Sequence, residues 1–183
     1  MPRPNAEHLL AALLAGLAVL PAQAELTDRT QKIHIDAGGG SRDAKNGFSI
    51  LEGGVKLTQG TLSLKAESAT LKELPSGDQQ IKAQGNQVEF RQKLEGDRGW
   101  LDGKANQLEY DSQSGDVRLL GQAWLKISGD EISANNISYN TQTERYKAEG
   151  SPAQKGGNGR LRMVIQPQVS PAEAKTVEGQ KKP

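Results

Sequence analysis

Leu108-Glu109-Tyr110, Ala123-Trp124-Leu125-Lys126-Ile127 and Ile137-Ser138-Tyr139 decide the fold, because apolar and polar residues trade places at every step. A period of two puts one apolar and one polar face on an extended chain; a helix needs a period near 3.6. The same alternation extends upstream, in Val55/Leu57 around Lys56, in Leu62/Leu64/Ala66 around Ser63 and Lys65, and in Val88/Phe90 around Glu89. Downstream, Leu161, Met163 and Ile165 close the series. Turn-forming clusters separate these runs: Glu52-Gly53-Gly54, Gln59-Gly60, Pro75-Ser76-Gly77-Asp78, Glu95-Gly96-Asp97, Ser114-Gly115-Asp116 and Ser128-Gly129-Asp130. Pro75 is the one proline between Glu25 and Ser151, and it stands in a turn, as a chain of hydrogen-bonded strands requires. The expected class is all-β, built from many short strands, with only a short helix near residues 40–46 left open.

The pattern repeats. Ala105-Asn106-Gln107-Leu108-Glu109-Tyr110 and Ala134-Asn135-Asn136-Ile137-Ser138-Tyr139 start 29 residues apart, and each runs 16 residues to a glycine, Gly121 and Gly150. Ala66-Glu67-Ser68-Ala69-Thr70-Leu71, running to Gly85, is a looser third copy. Gly53 to Ala66 and Gly121 to Ala134 both span 13 residues. Units of this kind stack in one dimension, each burying its apolar face on its neighbours.

Composition bounds the chemistry. The chain has 183 residues, 23 basic and 22 acidic side chains, a net charge of +1, no cysteine, 4% aromatics and 34% apolar residues. A near-neutral chain with its cations scattered among acids offers no stripe for nucleic acid. Arg3, the apolar run Leu9–Leu20 and the small residues around Ala22 and Ala24 form the pattern of a cleaved secretory signal. The expected organisation is therefore a signal peptide over 1–24, one β domain over 25–166, and a disordered tail over 167–183. The mature chain, starting at Glu25, is expected outside the cytoplasm. Without the signal its apolar share falls to roughly 30%, which is thin for a dry core.

Signals for catalysis are weak. His34 is the one histidine beyond the signal, and on alternation it faces solvent. With no cysteine and one histidine, a zinc site of ordinary ligands cannot be built, and no metal or cofactor is expected. No Gly-x-Ser-x-Gly motif occurs. Asp130-Glu131 reads as a solvated turn, and Gly38-Gly39-Gly40 and Gly156-Gly157-Asn158-Gly159 as loops. The apolar strand face remains. It is either the core of an ordinary sandwich, or a trough between two sheets that accepts acyl chains at about 0.8 kcal/mol per buried methylene.

Four segments carry a resemblance: Ile33-His34-Ile35-Asp36; Leu51-Glu52-Gly53-Gly54-Val55 with Gln59-Gly60-Thr61-Leu62, Leu64 and Ala66; Gly103-Lys104-Ala105-Asn106-Gln107-Leu108-Glu109-Tyr110; and Leu119-Leu120-Gly121-Gln122-Ala123-Trp124-Leu125. In combination, over roughly Gln31 to Gln166, they resemble the OstA-like family of periplasmic lipopolysaccharide transport proteins. The resemblance implies an open, twisted antiparallel β-jellyroll that binds lipopolysaccharide acyl chains in a groove and stacks head to tail between the membranes. It also implies partners: an inner-membrane anchored protein of the same fold, and an outer-membrane barrel with a periplasmic domain of that fold. Carried over position by position, Phe90 matches a groove-lining aromatic, and Leu108 and Tyr110 match groove-strand positions. The expected groove is Ile33, Ile35, Val55, Leu57, Leu64, Phe90, Leu108, Tyr110, Leu125 and Tyr139. The expected pairing edges are Ile33 and Ile35 at one end and Leu161, Met163 and Ile165 at the other. Gly38-Gly39-Gly40 and Gly54 depart from the family pattern. Lys56, Lys65, Arg91, Lys104 and Arg160 are rim cations by type, with solvated strand charge as the plainer reading. A β-rich scaffold that binds only proteins, through its edges, is the alternative.

Overall fold

The computed structural model describes residues 28–94, 96, 98–150 and 160–166. The signal segment, the Gly156–Gly159 loop and the C-terminal tail lie outside them. After one 3-10 turn at Asp28–Thr30 the described chain is strand and turn: β1 (His34–Asp36), β2 (Gly39–Asp43), β3 (Phe48–Gln59), β4 (Leu62–Glu73), β5 (Gln79–Lys93), β6 (Trp100–Asp111), β7 (Asp116–Ile127), β8 (Asp130–Asn140), β9 (Arg145–Glu149) and β10 (Arg162–Val164). All pairings are antiparallel, in a single sheet. The strand order is β1-β3-β4-β5-β6-β7-β8-β10, with β2 also on β3 and β9 also on β8. The all-β expectation holds.

The six central strands are long, not short, and each is interrupted near its middle. Register shifts fall between Glu52 and Val55, Lys65 and Ser68, Gln84 and Val88, Lys104 and Gln107, and Leu120 and Ala123. They line up across the sheet as a crease. Two of them carry consecutive residues in the left-handed region: Gly53 and Gly54 (φ 79° and 84°) and Gly121 and Gln122 (φ 75° and 52°). Bulges of this type bend a strand sharply and re-aim its side chains. Accordingly, buried residues change parity within a strand, from Leu62 and Leu64 to Ala69 and Leu71 in β4, and from Ile81 and Ala83 to Val88 and Phe90 in β5. Glu52-Gly53-Gly54 is thus a bend inside β3 and not a turn between strands. The repeat seen in the sequence is the spacing of the crease: Ala66, Ala105 and Ala134 pair beside it with Val55, Val88 and Ala123.

Residues 40–46 form no helix. Gly39–Asp43 pairs with Glu52–Phe48 of β3. A Cβ on Gly40 would stand 2.5 Å from the Ile50 carbonyl oxygen, so the glycines let this strand approach closely. The loop reading of Gly38-Gly39-Gly40 is corrected in the same way. Asp130-Glu131 opens β8 and is not a turn.

Candidate functional site

The sheet folds along its crease onto itself. Phe90 pairs with Gly103 across β5 and β6, and Tyr110 lies seven residues further along β6. Seven residues of straight strand cover about 23 Å. Yet the Phe90 and Tyr110 ring centroids are 5.6 Å apart. Gly103 pairs with Leu125, but a Cβ on it would stand 3.2 Å from a Leu119 methyl. Both contacts require the half of each strand before the crease to lie over the half of its neighbour beyond it.

Between the two layers is one apolar interior. Val55, Leu57, Leu64, Phe90, Leu108, Tyr110, Leu125 and Tyr139, eight of the expected groove residues, are all buried in a single cluster. Ile33 packs partly against that cluster, whereas Ile35 is exposed on β1. Leu71, Ile81, Val88, Leu101, Leu119, Ile132 and Ile137 are among the further residues of that interior; they sit on the same alternating face, and counting the parity change at each crease would have found them. In this structure the layers close over their own side chains.

The two rims opposite the crease meet. Gln59 ends β3 and Gln79 begins β5, at opposite ends of β4, which would separate them by about 35 Å if straight. Gln79 Nε2 donates to Gln59 Oε1 at 2.9 Å, and Gln59 Nε2 donates to the Gln31 carbonyl at 3.1 Å. Farther along the seam, Arg98 in the β5–β6 turn donates to Glu144 at 2.8 Å, beyond the end of β8. Ser128 donates to the Arg98 carbonyl at 2.5 Å from the other end of that strand. Neither Gln59–Gln79 nor Arg98–Glu144 was foreseen in the sequence.

The outer faces are polar ladders. Lys65, Glu89 and Lys104 stand side by side on β4, β5 and β6, with both amines 3.3 Å from the carboxylate. Hydrogen bonds from Lys104 and then Lys65 hold the Glu89 carboxyl below its ordinary pKa. Lys82, Glu109 and Arg118 repeat the arrangement. Arg91 pairs with Asp102 and stacks 4.3 Å from the Trp100 ring centroid. Three of the five rim-cation candidates, Lys65, Lys104 and Arg91, are therefore members of outer-face charge pairs.

The ends of the folded sheet are each built from two short strands, one per layer. β1 lies on Lys56–Thr58 and β2 on Phe48–Glu52 at one end. β10 lies on Glu131–Ser133 and β9 on Asn136–Asn140 at the other. Among the described residues the outer edges of these four strands are unpaired. Met163 pairs with Ile132 in β10, Leu161 and Ile165 flank that strand, and all three are exposed. Among the described residues no group of three or more His, Asp or Glu side chains is placed to hold a metal ion. His34 is exposed on β1.

The family model described as the LptA/(LptD N-terminal domain) LPS transport protein matches residues 34–145, from the first residue of β1 to the first of β9. This chain belongs to that family. The lipopolysaccharide export system protein LptH of Pseudomonas aeruginosa is 29% identical over 166 residues, 89% of this chain and 95% of that protein. The export protein LptA of Haemophilus influenzae is 29% identical over 163 residues, covering 87% and 91%. LptA of Escherichia coli K12 is 29% identical over 143 residues, covering 76% and 75%. The crystal structure of LptH, described as the LptA-homologous periplasmic component of a lipopolysaccharide transport device, superposes with a TM-score of 0.65 at 28% identity. It covers 76% of this chain and 99% of that one. The fold of the LptA family is thus the fold of this chain.

Proposed function

We propose that this chain is a non-enzymatic periplasmic carrier of lipopolysaccharide, and that the apolar interior between its two layers is where the acyl chains travel. The observation that carries the reading is the single apolar interior ending at both sides in strand edges that are unpaired among the described residues, in a member of a lipopolysaccharide transport family. An acyl chain entering it would part the seam between Gln59–Gln79 and Arg98–Glu144. Burial of about ten methylenes contributes roughly 8 kcal/mol, against which stand the separation of the layers and the immobilisation of the chain. The edges of β1 and β2 at one end, and of β9 and β10 at the other, suit head-to-tail strand pairing with further copies. They equally suit an inner-membrane anchored partner and the periplasmic domain of an outer-membrane barrel, each of the same fold. The residue 1–24 segment acts, on this reading, as a cleaved signal that delivers the chain to the periplasm.

A photoreactive residue in place of Phe90 or Tyr110 should label lipopolysaccharide, and one in place of outward-facing Lys82 should not. Labelling at Lys82 alone would refute the interior route. The second reading, a scaffold that binds proteins only, is favoured by how completely the layers cover the interior side chains. It predicts that native mass spectrometry of the protein from its host finds no lipid. Stacking is tested with Met163→Pro, which removes a backbone N–H and its pairing geometry from an exposed three-residue strand. Light scattering should show the concentration-dependent growth of the parent chain and its absence in the variant.

A further inference from the structure

Among the described residues three buried side-chain oxygens have no hydrogen-bond partner: Gln79 Oε1, Gln92 Oε1 and Tyr139 Oη. Each of these atoms is fully buried, and Tyr139 and Gln79 as residues are only 2% and 4% exposed. Buried polar groups are normally paired, and one left unpaired is destabilising, so three on one face point to a function. Their placement is not random. Gln79 begins β5 and already bridges the seam to Gln59 through its amide nitrogen. Gln92 follows Val88 and Phe90 on the inward set of β5, beside the turn that carries Arg98. Tyr139, one residue before the end of β8, lies within electrostatic reach of Arg98 and Glu144; burial pushes its phenol above the ordinary value, Arg98 pulls it down and Glu144 pushes it up. All three oxygens therefore stand at the rims, on the interior side of the seam, and none stands at the crease.

The chemistry of the three selects a ligand. The two glutamine oxygens only accept, and the phenol both donates and accepts. A bare methylene chain satisfies none of them, and an ionised phosphate, which has only acceptors, satisfies neither glutamine oxygen. A hydroxyl group donates and accepts, and so fits all three. Resting on the carrier reading above, we propose that Gln79, Gln92 and Tyr139 form a polar collar that recognises acyl chains bearing a hydroxyl close to their polar end. The tail of such a chain reaches toward the crease while its hydroxyl stops at the collar.

Isothermal titration of the full chain with 3-hydroxytetradecanoic acid and with tetradecanoic acid tests this, since the two differ by one oxygen. The hydroxylated acid should bind about tenfold more tightly, the gain expected of one or two added hydrogen bonds. In Tyr139→Phe, which removes only the phenol oxygen, and in Gln92→Leu, that ratio should fall toward one. Both variants should melt at or above the parent temperature, because each removes an unpaired buried oxygen. Equal binding of the two acids by the parent chain overturns the collar and leaves the carrier reading standing. A ratio unchanged in both variants overturns the assignment of these residues. Binding of neither acid counts against the carrier reading itself.

Discussion

Cysteines introduced by Gly103→Cys and Leu119→Cys would report whether the sheet closes on itself. The chain has no cysteine of its own, so this pair would be the only one present. In register Gly103 faces Leu125, and Leu119 is six residues along the same strand, about 20 Å away on a flat sheet. A disulfide needs Cα atoms within about 7 Å and is impossible there. In the folded sheet a Cβ at 103 stands 3.8 Å from Leu119 Cγ, close to where the sulfur of a cysteine at 119 would lie. A small adjustment completes the bond, and replacing Leu119 also clears the methyls that crowd position 103. The bond closes a loop of about 16 residues and should stabilise the oxidised form over the reduced form of the same variant by about 3 kcal/mol. For a domain of this size that is a melting-point difference of roughly 6–12 °C. The comparison is internal, so the cost of losing the Leu119 side chain cancels. Oxidation of the folded protein should give quantitative intramolecular crosslinking by thiol titration, and the melt should fall on adding reductant. Free thiols after oxidation under native conditions would refute the folded-sheet geometry. A crosslink that forms but leaves acyl-chain uptake unchanged would refute the passage of lipid between the layers.

Phe90→Ala removes a buried ring packed at a tilt against Tyr110 and should cost about 3–5 kcal/mol in urea unfolding, whereas Ile35→Ala on the exposed edge should cost well under 1 kcal/mol. Gln59→Leu strands the Gln79 amide and should cost about 1–3 kcal/mol, much of it regained in Gln59→Leu/Gln79→Leu where both partners become apolar. The Glu89 pKa is depressed in the fold by Lys104 and Lys65, so its stabilisation is present above the ordinary glutamate value near pH 4.3 and is lost as pH falls from there through the lower folded value. Glu89→Gln should flatten that acid limb of the stability profile, by a small amount that shrinks further in high salt because the pair is exposed.

The strand faces were legible because alternation is a local signal: Val55, Leu57, Val88, Phe90, Leu108 and Tyr110 all lie inside, as period two requires. What alternation does not reveal is where a strand bends without ending. Gly53-Gly54 has the same composition as a tight turn, and only pairing with β4 on both sides of it shows a bulge. β2 was missed for a related reason. Gly39-Gly40-Ser41-Arg42-Asp43 has no apolar face, and its extended form comes from docking on β3, a tertiary effect that outweighs propensity. The seam was invisible because its contacts join residues 20 and 46 positions apart, Gln59 with Gln79 and Arg98 with Glu144, through side chains with no local signature.

The crease separates two dimensions of the molecule that most folds tie together. Every central strand crosses it once, so the width of the enclosed space is fixed by how many residues each strand carries on either side. Its length is fixed by how many strands stand in a row. Adding strands, whether by gene duplication or, on the proposed stacking, by docking another copy against β10 or β1, lengthens that space without changing its calibre. On the proposed carrier reading, recruiting more subunits spans a wider gap while the cargo meets the same cross-section from one end to the other.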